Sequence, residues 1–234
     1  MSLKQIFYTV LLTGFIGSGI FTLLQSFSSI PLILHAEQFE DGKLINYVNN
    51  NEVKISDTHE AEEEEAWAPA DGAQRLFFTF VTNFVLAMGF TFLLCGVYLY
   101  LQELTVFKGM LVGAVGYMSF FFLPSIGLTP ELPGTLAASL ESRQIWWVST
   151  VLASLVGFGV LYFSKNILYK ALAVVVILAP HIVGAPHPEF HAGTAPLELF
   201  ETFVQTSFVI NAIFWLSLGA ISASFYKKFA PQYI

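Results

Sequence analysis

Apolar residues dominate six stretches of the chain, interrupted by short polar segments: Gln5–Leu34, Arg75–Leu101, Phe107–Gly127, Gln144–Phe163, Asn166–Gly184 and Thr202–Tyr226. Each is close to or beyond the roughly 20 helical residues needed to cross a hydrocarbon core. The pattern predicts an all-α fold, a polytopic membrane helix bundle of about six transmembrane helices. The first stretch follows Lys4 as a signal peptide would, but it is far longer than an h-region of about 7–15 residues and is expected to be retained. Pro31 near its end predicts a kink or a helix projecting outward.

Between the first two stretches lies the one sizeable polar segment. Residues 35–74 form an acidic extracytoplasmic loop within a single membrane domain spanning residues 1–234. Within it, LINYVNNNEVKIS reads as a short hairpin with an Asn-rich turn. The remaining outer segments, GLTPELPG and GAPHPEFHAGTAPLE, are rich in proline and glycine and read as stiff turns over the bundle.

Composition agrees with this pattern: 55% of the 234 residues are hydrophobic and 12% are charged. The formal net charge of −7 argues against nucleic acid as a partner. The distribution of charge says more. With the N-terminus inside, alternate inner segments collect Lys4, Lys108, Lys165, Lys170, Lys227 and Lys228, against Lys43, Lys54, Arg75 and Arg143 outside. Basic residues are retained on the cytoplasmic side, so both termini are expected in the cytoplasm, in a plasma (inner) membrane. Of the 17 carboxylates, only Glu103 falls on the inner side.

All five histidines fall on or just below the outer face. His59 precedes Glu60 and Glu62–Glu65; in a helix it would lie beside Glu62 and Glu63, an imidazole and carboxylates on one face. Nitrogen and oxygen ligands of this kind suit borderline divalent ions: Co, Ni, Zn, Fe or Cu(II). The competing reading is a solvated acidic loop. The second cluster is His181, His187 and His191 with Glu189. His181 sits about one turn below the outer interface, where an ionisable group is costly unless paired or ligated; the competing reading is an imidazole bonded to a freed carbonyl near Pro186. His187 is held between Pro186 and Pro188, which favours a preset geometry. His35 and Glu37 end the first stretch, two residues apart and so on different helical faces. The candidate metal ligands are therefore His181, His187, His59, Glu37, Glu63, His35 and His191, with His181 and Glu37 expected to approach each other at an outer mouth.

Other features read as packing. Gly109, Gly113 and Gly116, with Gly14 and Ser18, supply faces on which helices approach closely. Trp67, Trp146 and Trp147 fit an aromatic belt at the outer interface. LFFTFV (76–81) and LFETFV (199–204) match at all but one position, each after a loop with histidine and acid. A duplicated helical hairpin and chance similarity among Phe-rich helices both account for this. Asn83 and Asn211, two turns inside those helices, read as interhelix glue or as ligands along an ion path. A lone cysteine, Cys95, builds neither a disulfide nor a Cys-rich metal site. There is no GxxxxGK[ST] phosphate loop, no HExxH, no Ser/His/Asp arrangement, and no acid or base near the centre of any span. The chain does not read as an enzyme.

EEAWAPADG before the second span, PELPG after the third, RQIWW opening the fourth and PHIVGAP closing the fifth resemble, in order, the CbtA family, a proposed membrane subunit of a cobalt transporter. Carried over position by position, the motif residues are Glu65, Trp67, Asp71, Glu131, Gly134, Arg143, Trp147, His181 and Gly184. The resemblance implies a multi-pass prokaryotic membrane protein that handles cobalt, alongside a small one-span CbtB-like subunit bearing a histidine motif. Where family members often carry a His-rich first loop, this sequence keeps only His59 before its glutamates. The expected partners are thus the lipid bilayer, a divalent cation and that small subunit. From a different class comes the alternative of an accessory or structural subunit of a larger membrane enzyme complex.

Overall fold

The computed structural model describes residues 3–40, 67, 69–188 and 193–229. The described residues form helices and contain no strand. The hairpin expected at 44–56 lies outside them.

The first apolar stretch becomes two helices, α1 (Leu3–Phe27) and α2 (Ser29–Glu40). The break follows from Pro31, whose ring would collide with the carbonyl four residues earlier, that of Phe27, in a continuous helix. Instead Pro31 occupies the first turn of α2, where the missing N–H costs nothing. Helix α3 (Ala73–Tyr98) crosses back. The third stretch, Val106–Gly127, is one apolar rod made of α4 (Val106–Tyr117), a π-helical turn (Met118–Phe122) and α5 (Leu123–Gly127). Then come α6 (Leu140–Phe163), α7 (Ile167–Val183) and α8 (Leu197–Phe229).

Five of these units are long and apolar enough to cross a membrane; α7, at 17 residues, is the short one. At about 1.5 Å per residue it reaches only about 25 Å, the lower limit for a span. Pro180 lies in its last turn, and Gly184, at φ 90°, ends it in a conformation that side-chain-bearing residues rarely adopt.

Helices α1, α3, α4 and α8 form the central bundle, with α8 packed against both α1 and α4. The glycine faces act as the sequence predicts. A methyl group at Gly113 would lie 2.3 Å from the Trp215 carbonyl oxygen, and one at Gly219 would lie 2.3 Å from that of Gly109. Only glycine lets the α4 and α8 backbones come this close. Large rings fill the remaining interior: Phe21 stacks on Phe214 with centroids 4.4 Å apart, and Phe90 and Phe120 close on Trp215.

Polar side chains inside the bundle are tied across helices. The Asn83 amide donates to Thr22 Oγ1 (2.9 Å) and Gln25 Oε1 (2.6 Å), joining α3 to α1. The Tyr98 hydroxyl donates to the Gly219 carbonyl oxygen (3.1 Å) and bonds the Ser222 hydroxyl (2.8 Å), joining α3 to α8. Asn83 is therefore interhelix glue. Asn211, by contrast, donates to the Ser207 carbonyl of its own helix.

The remaining pair, α6 and α7, is packed together and joins the bundle through the π-helical turn and α5. Helix α7 runs along α6 and makes no extended contact with α8. This differs from a duplicated hairpin: α1 pairs with α3, whereas α7 does not pair with α8, because α4 and α1 already occupy the faces of α8. Among the described residues the lysines gather at one end of the bundle. Tyr8 lies on Phe229, Tyr98 on Tyr226 and Gly109 beside Ala223, so the α1 and α4 starts share one end with the α3 and α8 ends. That is the lysine-rich end, and Lys108 there donates to the Gln102 and Glu103 carbonyls.

Candidate functional site at the outer end

The opposite end, here called outer, carries the described histidines and most described carboxylates. Three neighbourhoods organise it.

In the first, the Arg75 guanidinium clamps Glu37 with two parallel bonds, Nη1 to Oε1 at 2.8 Å and Nη2 to Oε2 at 3.1 Å. Its Nε also pairs with Asp71 at 2.9 Å. This fork fastens α2 to the start of α3 and occupies both Glu37 oxygens. His35, two residues earlier, points elsewhere and packs its ring on Phe39.

The second is a pocket of about 300 Å³ between the α5–α6 connection and the segment after α7, lined by Gly127, Glu131, Arg143, Pro186, His187 and Phe200 among others. Glu131 accepts from Arg143 Nη2 at 2.8 Å, with both side chains about 30% exposed. Local backbone geometry holds the two walls in register. Gly134 at φ 74° lets the chain turn under Thr194, Thr194 N donates to the Gly134 carbonyl, and Thr135 bridges Gly193 in antiparallel fashion. His187, between Pro186 and Pro188, lines the pocket and is exposed.

The third lies one side chain beneath. The His181 ring stacks on the Trp146 indole, centroids 5.7 Å apart and planes at 20°. Trp146 is buried, not part of an aromatic belt as the sequence suggested; its Nε1 donates to the Pro180 carbonyl at 3.1 Å. It also fills the space left by Gly127, where a methyl group would come within 2.4 Å of the indole. Gly127 in turn lines the pocket above. Both His181 ring nitrogens are buried with no hydrogen-bond partner. The bond to a freed carbonyl, the competing reading of this residue, is not made.

A neutral imidazole has one donor and one acceptor, and leaving both unmatched away from water costs on the order of 1–3 kcal/mol each. Such an orphan calls for a ligand, a water or an ion. By contrast, two carboxylates at this end, Glu37 and Glu131, are already neutralised by arginine. A cation reaching either would have to compete with a guanidinium for it.

Glu37 and His181 are thus engaged by different partners on different helix pairs. Among the described residues, no three His, Cys, Asp or Glu side chains converge on a metal-sized centre. His59, Glu63 and His191 lie outside the described residues, so the acidic loop cluster and the third histidine of the second cluster are not placed. The pairing of Glu131 with Arg143 was not foreseen as part of a site, although both occur in the PELPG and RQIWW motifs. A signal was available: one acid and one base, each beside a span end and twelve residues apart, on the two walls of one connection.

No curated protein and no solved structure matches the chain. A family does: residues 3–227 match CbtA, "Probable cobalt transporter subunit (CbtA)", nearly the whole length, and the chain, a multi-pass membrane protein, belongs to that family.

Proposed function

We propose that this protein takes up a divalent cation, Co(II) by family, at its outer end, and passes it to or through a membrane assembly as a transporter subunit rather than as an enzyme. The observation that carries the reading is His181. An imidazole with two unmatched buried nitrogens, one side chain below a pocket rimmed by His187 and Glu131, is the described group most in need of a ligand. His35, His59, Glu63 and His191 would add to cation capture by concentrating ions electrostatically, whereas Glu37, clamped by Arg75, would not.

The ligand types do not choose cobalt. Nitrogen and oxygen donors follow the Irving–Williams order, which places Ni and Cu above Co, so preference must come from geometry, availability or a second subunit. A small one-span subunit with its own histidines would complete a coordination sphere to which His181 alone contributes one ligand. In this reading both termini face the cytoplasm and the lysine-rich end lies inside.

The alternative is an accessory subunit that stabilises, or delivers metal to, a neighbouring membrane enzyme. One observation favours it: α7 buries only Ala173, leaving apolar side chains such as Leu168, Val175 and Ile182 exposed around it. Radiolabelled cobalt uptake in cells with and without the chain, with the small subunit co-expressed, separates the two. Uptake that rises with the chain supports transport; equal uptake removes it and leaves the accessory role.

A further inference from the structure

The α6–α7 pair carries a second concavity, at the end away from His181. The two helices touch at Gly157, where a methyl group would come within 2.3 Å of the Ile177 side chain. Beyond that contact they diverge toward the Ser164–Lys165–Asn166 turn. Helix α6 ends there because Ser164 and Asn166 bond each other's polar groups, and Asn166 Oδ1 caps α7 by accepting from Leu168 N at 2.9 Å. The divergence leaves a groove of about 530 Å³, walled by Val156, Val160, Leu172, Ala173 and Val176. Gly159 keeps it open, since nothing lies within 4 Å of the place its side chain would occupy.

The groove is almost entirely apolar along its length and opens on a rod whose outward residues, Leu168, Leu172 and Val175, face the surroundings of the bundle. Water has no partners in it. Toward the turn the chemistry changes: Ser164 and Tyr169 line the groove, and Lys165 and Lys170 follow them directly in the sequence. Neither lysine forms an ion pair among the described residues. Among the described residues the lysine-rich end has one side-chain carboxylate, Glu103, which belongs to the α3–α4 connection. The N-terminal end of the α7 dipole adds partial positive charge at the same turn.

A slot that is apolar along its length and cationic at one end matches an amphiphile with an anionic head. We propose that the α6–α7 groove holds one acyl chain of an anionic phospholipid, with its phosphate at Lys165 and Lys170. A transmembrane helix from another subunit matches the apolar wall but gives no reason for two unpaired lysines at that turn. The lipid would fill the gap between the bundle's most loosely attached pair of helices and so hold α7 against α6. Basic sites between helices at this kind of membrane depth suit anionic headgroups.

The test uses the full chain purified in neutral detergent, titrated with phosphatidylglycerol or phosphatidylcholine of identical acyl chains and read by native mass spectrometry. Phosphatidylglycerol is expected to be retained at least about fivefold more than phosphatidylcholine. Gly159→Phe puts a ring into the groove at a position where a Cβ meets nothing within 4 Å, and should lower retention of both lipids. Lys165→Gln, at an exposed position, with Lys170→Gln, at a half-buried one, should bring phosphatidylglycerol down to the phosphatidylcholine level. Equal retention of the two lipids by the unaltered chain overturns the proposal. So does unchanged phosphatidylglycerol retention in the double lysine variant, which stands as a test even if Gly159→Phe fails to fold. Loss of a bound second copy or apolar peptide, instead of lipid, on Gly159→Phe would assign the groove to a protein partner and overturn it too.

Discussion

The Trp146 indole lies flat against the His181 imidazole and, through Nε1, holds the carbonyl of the residue just before it, Pro180. One side chain thus fixes both the ring plane and the backbone from which the ring projects. The two ring nitrogens of His181 stay buried with no hydrogen-bond partner.

If His181 is a ligand, His181→Ala lowers cobalt accumulation more than His59→Ala does. A half-buried ligand has few substitutes, whereas an imidazole beside Glu60 and Glu62–Glu65 has several. Loss of Trp146, which only orients the ring, should weaken the apparent affinity as outer-shell changes do, by about 10–100-fold. Uptake curves for the three variants decide this; a larger effect at residue 59 would move the primary site into the acidic loop.

The Arg75 fork on Glu37 is predicted to be structural. Both side chains are roughly 30% exposed, so a double-mutant cycle on thermal unfolding should give a coupling of only about 0.2–1 kcal/mol. Arg75→Ala should leave cobalt uptake close to that of the unaltered chain. An uptake loss as large as that of His181→Ala would instead give Glu37 and Arg75 a place in cation handling.

Glycines that look alike in the sequence are predicted to respond differently. Gly113→Val drives a side chain into the Trp215 backbone, and overpacking of this kind costs about 1–3 kcal/mol or more. Gly89, in α3, has open space around it, and Gly89→Ala should be neutral or stabilising by up to about 1 kcal/mol. Yield and melting temperature in detergent compare them, and similar behaviour would contradict the close α4–α8 approach.

Topology is tested by labelling. With buried Cys95 as background, a cysteine at residue 59 should react with an impermeant reagent from outside, and one at residue 165 only after the cytoplasmic face is opened. Labelling of residue 59 from the cytoplasm alone would invert the arrangement and place the histidines inside.

The sequence by itself determined that this is a helical membrane bundle, because an uninterrupted apolar run can satisfy its backbone in lipid only as a helix. It also determined the segregation of lysines from acids and histidines, since charge at a span end is fixed by chain order once the spans alternate. Pro31 marked the first break and Gly109 and Gly113 the tightest approach, because both effects are local to the residue that causes them. What only the tertiary structure decided is which helices meet. Lipid-facing and protein-facing residues are equally apolar here, so periodicity cannot say that α7 packs on α6 and not on α8. The same holds for the site. Glu37 and His181 both stand at the outer end of proline-marked helices, yet an arginine on α3 takes the carboxylate and a tryptophan on α6 takes the imidazole ring. Those partners are distant in sequence or on a neighbouring helix, and only packing brings them into reach.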